Sequence, residues 1–359
     1  MRWNTLNVLT IGLLASCTVI SAEAQGVVPP PGAKYEGQAY DFRKIADGVW
    51  FAVGTGAVSA ESNNVVIEIG NDVMIVDGGT SPAAGWALLR ELPRVTKKPV
   101  RWLAVTHFHY DHAHGTQSFP AGVEVIGTEF TRAMLAAGKS VEHSTAQGNL
   151  RFAKLQIETA TAALDSATTG ASKAEIQKRR AVWEQYLASV ATLKPVAPTT
   201  TVSQRMSIFG GGREVQFIFP GKAHTDGDLV VWLPKERILA TGDLLQPNLP
   251  YMGDGYLENW ASVLDSLGAM NPAVVLPGHG DEFKDPAVGA RLSDYMHTTW
   301  AQVAAAKSKG MTPEQAAAAL DLKKFDAFYP RFPGWTDEMV VRRRLGTVKR
   351  IFDLLDQRK

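Results

Sequence analysis

The chain has 359 residues, 45% of them hydrophobic and 20% charged, with 37 basic and 36 acidic side chains and a net charge of +1. The balance is that of a globular protein, and the length suits one large α/β domain with additions or two small domains. No basic stripe or charged tail is present, which argues against nucleic acid or an anionic membrane as partner and leaves a small-molecule substrate.

The first residues read MRWNTLNVLTIGLLASCTVISAEAQ. Arg2 precedes an apolar run from about Val8 to Ile20, and Ala22-Glu23-Ala24 is a small-x-small site. This pattern predicts a secretory signal peptide over residues 1–24, cleaved before Gln25, and hence a periplasmic or secreted protein. The apolar run is short for a membrane span. Leu14–Cys17, LASC, also resembles a bacterial lipobox, which would leave a lipid anchor at Cys17. Val19 and Ile20 continue the apolar run past the cysteine and weigh for plain export. Cleavage would remove the chain's one cysteine. The mature protein would then have no disulfide and no thiolate metal ligand, and would depend on its core.

Pro and Gly dominate residues 26–37, so 25–41 is expected to be an extended leader. A main domain is expected over 42–285. Its first part carries short runs rich in Val and Ile (VWFAVG, NNVVIEIG, DVMIVDGG, VRWLAVTH, VEVIGT), the pattern of strands. Ser81 followed by Pro82 is a helix start. Residues 129–200 read as a helical insertion, with Ser172 and Glu175 in capping-box spacing and Ile176, Trp183, Leu187 and Val190 at near-helical intervals. An amphipathic helical pair packed on the core is expected. Because the insertion directly follows a histidine cluster, it is also a candidate cover for a site. Strand patterns then return (EVQFIFPG, DLVVWLP, RILATGD, AVVLPGHG). A helical extension is expected over 286–359, with a second capping box at Thr312 and Gln315. Two β-rich halves predict sheet packed on sheet with helices outside.

The chemistry concentrates in THFHYDHAHG, Thr106 to Gly115. An apolar strand ends at Thr106, and side chains just past a strand end sit on a rigid scaffold. His107 and His109, two apart, can face one way; the adjacent Asp111 and His112 would face elsewhere. That predicts two ligand groups from one loop, and so two metals. Nitrogen and carboxylate donors suit zinc, with iron or manganese as lesser fits. Further donors must come from a distance. His224, Asp243 and His279 share one context, a polar residue between an apolar run and a turn. His143 and His297 fall in helical segments and read as ordinary helix residues. His114 reads as a packed or exposed loop residue, with a hydrogen bond to a ligand or a substrate contact as rivals. In Leu244–Trp260, Tyr251 and Tyr256 are candidate pocket aromatics, whereas Trp260 is expected to open the next helix and pack on the core.

His107-x-His109-x-Asp111-His112, followed by His224, Asp243 and His279, resembles the metallo-β-lactamase superfamily, and Asp77 in MIVDGG matches its early strand-end Asp. The resemblance runs from about Phe42 to Phe283. It implies an α/β fold, a four-layer αββα sandwich with metals at one edge. It also implies two Zn2+ per chain, one on His107, His109 and His224, the other on Asp111, His112 and His279, with Asp243 bridging as in the glyoxalase-II-like branch. The first two lactamase subclasses have Cys where Asp243 stands. The third uses the equivalent of His112 but generally lacks a bridging Asp. The reaction so implied is attack of metal-bound hydroxide on the carbonyl of an ester, lactone or β-lactam. Asp111 would be the catalytic residue, orienting the nucleophile and moving its proton, and Asp77 would support the ligands. Three alternatives follow from the same family: a true β-lactamase close to the third subclass, a glyoxalase-II-like thioesterase, and an iron-dependent persulfide dioxygenase. The thioester substrate is cytoplasmic, which sits poorly with export. The dioxygenase uses one iron, which leaves the second ligand set without a purpose.

Overall fold

The computed structural model describes residues 27–330 and 336–358; the expected signal peptide and Cys17 lie outside them. Seven strands form the first sheet in chain order: β1 (Tyr40–Ala46), β2 (Val49–Gly54), β3 (Asn64–Ile69), β4 (Asp72–Val76), β5 (Val100–Ala104), β6 (Glu124–Gly127) and β7 (Thr200–Thr201). The first four pair as an antiparallel meander, and β4 through β7 pair in parallel. The second sheet contains β8 (Arg205–Gly210), β9 (Arg213–Ile218), β10 (Val230–Leu233), β11 (Ile238–Gly242) and β12 (Val274–Pro277). It is antiparallel except for the β11–β12 pair. Every residue of β10, β11 and β12 is buried. Strands covered on both faces gain nothing from polar alternation, which is why they read as unbroken apolar runs.

The helices are α1 (Pro82–Glu91), α2 (Tyr110–Ala113), α3 (Glu129–Ala136), α4 (Lys139–Glu142), α5 (Ser144–Ser166), α6 (Gly170–Val190), α7 (Leu257–Ala269), α8 (Ala287–Ser308), α9 (Pro313–Ala319) and α10 (Asp337–Asp356). Three apolar clusters define the layers. Phe51, Ile67, Met74, Phe217 and Val231 fill the space between the sheets. Ile75 and Leu103 meet Leu88 and Leu92 of the α1 segment on the outer face of the first sheet. Val230 and Leu239 meet Trp260, Leu292 and Ile351 on the outer face of the second. The order is helix, sheet, sheet, helix, the sandwich expected from the two β-rich halves.

Local signals hold at two helix starts. The Ser81 side chain accepts from Ala84 N with Pro82 in the first turn, and Thr312 and Gln315 form a reciprocal capping box. Ser172 does not cap α6. Thr169, extended at φ −117° and ψ 151°, takes that place and accepts from Ser172 N at 3.1 Å, so Ser172 is already a donor inside the first turn. The insertion contains a long helical pair, α5 and α6, preceded by the short α3 and α4; α6 buries Gln185, Tyr186 and Ser189, whereas the expected stripe of Ile176, Trp183, Leu187 and Val190 is only partly buried.

One edge of the sandwich gathers the polar loops. Parallel β4 and β5 end there, as do parallel β11 and β12 on the facing sheet. The turn between β9 and β10 lies at the same edge because β10 runs antiparallel to β11. Backbone bonds join the sheets at this place: Leu229 N donates to Thr106 O at 2.7 Å and Asn63 N to Gly278 O at 2.8 Å.

Candidate metal centre

His107 follows β5, and His109 ends the extended stretch as the residue before α2. The turn of α2 carries Asp111 and His112 to the other side. Two groups of donors result. His107, His109 and His224 form one and Asp111, His112 and His279 the other, each with one donor atom per residue within 4.8 Å of the rest; His107, His112 and Asp243 form a further such group between them. His109 Nδ1 and His224 Nε2 are 3.0 Å apart. His279 Nε2 lies 3.0 Å from Asp111 Oδ2. Asp243 stands between the groups: Oδ1 is 3.2 Å from His112 Nε2 and 3.3 Å from His279 Nε2, and Oδ2 is 3.6 Å from His224 Nε2. All seven sequence candidates therefore meet at one place.

The far sides of His107, His112 and His279 are anchored, whereas His224 Nδ1 is buried without a hydrogen bond. His112 Nδ1 faces Asp77 Oδ2 at 2.8 Å, and the Asp77 carboxylate also accepts from Thr106 N at 2.8 Å and Thr106 Oγ1 at 3.0 Å. His107 Nδ1 is 3.1 Å from Thr106 Oγ1, and His279 Nδ1 donates to the Glu61 carbonyl at 2.9 Å. With those nitrogens engaged, His107 Nε2 and His112 Nε2, together with Asp243 Oδ1, are buried without a hydrogen-bond partner. Orphaned buried donors and acceptors are costly. Imidazole nitrogens and carboxylate oxygens converging in this way suit divalent cations. The residues fit the implied metals.

The charges point the same way. Burial pushes the Asp111 and Asp243 carboxyls up, but the neighbouring His112 and His279 outweigh it and hold both well below the usual carboxylate range. Burial pushes His279 down, and Asp243 and Asp111 outweigh it and carry it up to about 10. His112 is raised for the same reason, burial again opposing. His107 is driven down by burial and by His112, His109 and His224. The carboxylates and the two imidazoles therefore favour one another's charged forms.

Close backbone approach makes the packing possible. A Cβ on Gly278 would lie 2.4 Å from Asp243 Oδ1 and 2.7 Å from His112 Cε1. Glycine is required there.

Other expectations divide. His297 is exposed on α8. His114 is packed and buried, belongs to none of the donor groups among the described residues, and is pushed down to about 4 chiefly by burial. Trp260 is fully buried and donates Nε1 to Leu244 O at 2.9 Å. Tyr251 stands at the mouth, its ring 6.0 Å from His109. Tyr256 does not line the site. Its hydroxyl donates to Asp226, and its ring lies against Lys222 and Arg350.

His143 requires correction. It is the extended residue between α4 and α5, its Nδ1 accepts from Thr145 N, and its ring stacks on His109 with centroids 5.2 Å apart. Asp254 was not singled out by the sequence reading, yet its Oδ2 is 2.9 Å from His109 Nε2 and 3.3 Å from His143 Nε2. These two imidazoles overcome burial and hold the Asp254 carboxyl well below its usual range. A charge between two glycines, in a segment already noted for its aromatics, was the available signal. Glu61 is the other omission. It accepts from Tyr110 Oη at 2.5 Å and from Asn149 Nδ2 of α5 at 2.8 Å.

A family model described as the metallo-beta-lactamase superfamily matches residues 60–123 and 167–279. The chain belongs to the metallo-beta-lactamase superfamily. It is 26% identical over 296 residues to a linear primary-alkylsulfatase of a Pseudomonas species, covering 79% of this chain and 53% of that protein, so it spans about half the length of this relative. It is 25% identical over 278 residues to a type 2 metallo-beta-lactamase of Bacillus cereus, covering 74% of this chain and 86% of the relative. The fold is similar to a metallo-beta-lactamase from Pontibacter korlensis, with a TM-score of 0.51 and 20% identity over 72% of this chain and 99% of the other.

Proposed function

We propose that the protein is an exported dinuclear zinc hydrolase that opens a carbonyl compound, an ester, lactone or β-lactam. The observation that carries this reading is the meeting of two donor triads at Asp243, with His107 Nε2, His112 Nε2 and Asp243 Oδ1 buried close together but without a hydrogen bond. His107, His109 and His224 would hold one cation, Asp111, His112 and His279 the other, and Asp243 would present one oxygen to each side. Such a pair supplies Lewis acidity toward an acyl oxygen and acidifies water at the site.

The chain's own residues do the rest. Asp77 holds Nδ1 of His112, and the Glu61 carbonyl holds Nδ1 of His279, which points both Nε2 atoms inward. Asp111 is held in its carboxylate form beside them, so it can accept a hydrogen bond from a water and orient it. The rings of Tyr251 and His143 lie 6.0 Å and 5.2 Å from that of His109, which makes both candidate substrate contacts. Export is supported by Arg2, the apolar run and Ala22-Glu23-Ala24.

The test is metal analysis together with a hydrolysis panel of aryl esters, lactones and β-lactams, with His107→Ala as control. About two zinc per chain and activity abolished in the control support the reading. One iron per chain, or full activity in the control, overturns it. The Bacillus cereus relative favours β-lactams as a second reading, and the Pseudomonas relative places a primary alkyl sulfate in the same panel. Amino-terminal sequencing of the exported protein, expected to begin at Gln25, checks the processing.

A further inference from the structure

Two side chains outside the seven-residue set reach the centre at His109. Asp254 Oδ2 lies 2.9 Å from His109 Nε2 and 3.3 Å from His143 Nε2, and the His143 ring lies over that of His109 at an interplanar angle of 28°. The opposite nitrogen of His109, Nδ1, is the one that faces His224, at 3.0 Å. A neutral imidazole carries one proton, and a carboxylate at Nε2 decides where it sits. With Nε2 protonated, the lone pair is on Nδ1 and points at the His107–His224 side. Stacking against His143 resists rotation of the ring, and the second donor, His143 Nε2, fixes the carboxylate itself.

We propose that Asp254 and His143 are a positioning pair that sets the tautomer and orientation of His109 and thereby the affinity of the first cation; the inference rests on the dinuclear reading above. The pair also explains what the additions to the sandwich do. His143 comes from the insertion, in residues 124–166, which the family model leaves unmatched. Asp254 comes from the loop after Asp243, and α10 of the C-terminal extension holds that loop from outside: Arg343 Nη2 donates to Leu249 O and Arg350 Nε to Gly255 O, each at 3.2 Å. The insertion therefore reaches His109 directly, and the extension holds the loop that carries Asp254.

The test is Co2+ titration of the metal-free protein against a competing chelator, for wild type, Asp254→Ala, Asp254→Asn and His143→Phe. The expected result is an affinity for the first cation about 10- to 100-fold weaker in Asp254→Ala, with the second unchanged. Asp254→Asn, which keeps an acceptor oxygen, should restore most of the loss, and His143→Phe, which keeps the stack and loses the donor, should fall between. Unchanged first-cation affinity in Asp254→Ala overturns the proposal, as does an Asn variant no better than the Ala variant. A third equivalent of Co2+ that disappears with Asp254→Ala would make His109, His143 and Asp254 a cation site instead, and also overturns it. If wild type binds no Co2+, the dinuclear reading fails, and 15N NMR of the metal-free protein decides the positioning role alone. His109 should be protonated at Nε2 in wild type and a tautomer mixture in Asp254→Ala; the same tautomer in both would refute it.

Discussion

Asp77 shows how much one residue can be asked to hold. It sits at φ 66°, a left-handed conformation that Asp tolerates better than most residues, and turns its carboxylate back beneath the loop. Three donors use it: Thr106 N, Thr106 Oγ1 and His112 Nδ1. An amide offers one acceptor oxygen and would set its NH2 against a donor. Asp77→Asn should therefore cost about 1–3 kcal/mol in urea unfolding and weaken the cation held by His112; an unchanged midpoint would remove Asp77 from this role. His114 makes a second prediction. Its folded value of about 4 lies below the unfolded value near 6.5. Between those values the unfolded chain binds a proton that the folded chain does not, so stability is full above about pH 6.5 and falls as pH drops toward 4. A cation beside Asp111 would offset the attraction that now raises His114, which deepens the shift. His114→Leu should flatten this part of the stability–pH curve of the metal-free protein, and a curve identical to wild type would count against the buried neutral imidazole.

At the scale of elements, the parallel pairs matter most. β11 and β12 run side by side with the α7 crossover between them, so Asp243 and His279, 36 positions apart in sequence, leave the second sheet together. The turn after β12 must then pass against Asp243, which is why Gly278 has no room for a side chain. Gly278→Ala should displace Asp243 or His112 and abolish tight cation binding while far-UV circular dichroism stays native. Normal metal content in that variant would show that the turn can yield. The α5–α6 hairpin is held at its root, where Asn149 reaches Glu61 and Gln185 Nε2 donates to Lys34 O at 2.5 Å, so hydrogen bonds tie the insertion to the leader and to the loop before β3.

For the whole molecule, the site closes the sandwich at one edge. The first sheet contributes His107 to His112, and the second contributes His224, Asp243 and His279. A cation shared between them would link the sheets. Binding to the folded state alone stabilises by about 2.7 kcal/mol at a free metal concentration 100 times Kd. Chelation should therefore lower Tm, and zinc should restore it. A Tm indifferent to both would mean that the clusters hold no metal. Among the described residues no helix is long and apolar enough to cross a membrane.

The signals legible in the chain were the short-range ones. Unbroken Val and Ile runs marked the buried strands, Ser81 and Thr312 marked helix starts through bonds to residues three positions on, and the alternation within THFHYDHAHG separated His107 and His109 from Asp111 and His112. These depend on local geometry, which a handful of residues specify. The contacts of His109 with Asp254, 145 positions away, and of His143 with His109 do not. They arise because two sheets pack face to face and because the insertion and the C-terminal extension lie over the same edge. A histidine between two short helices looks the same in sequence whether it faces water or a metal centre, and only packing makes the difference.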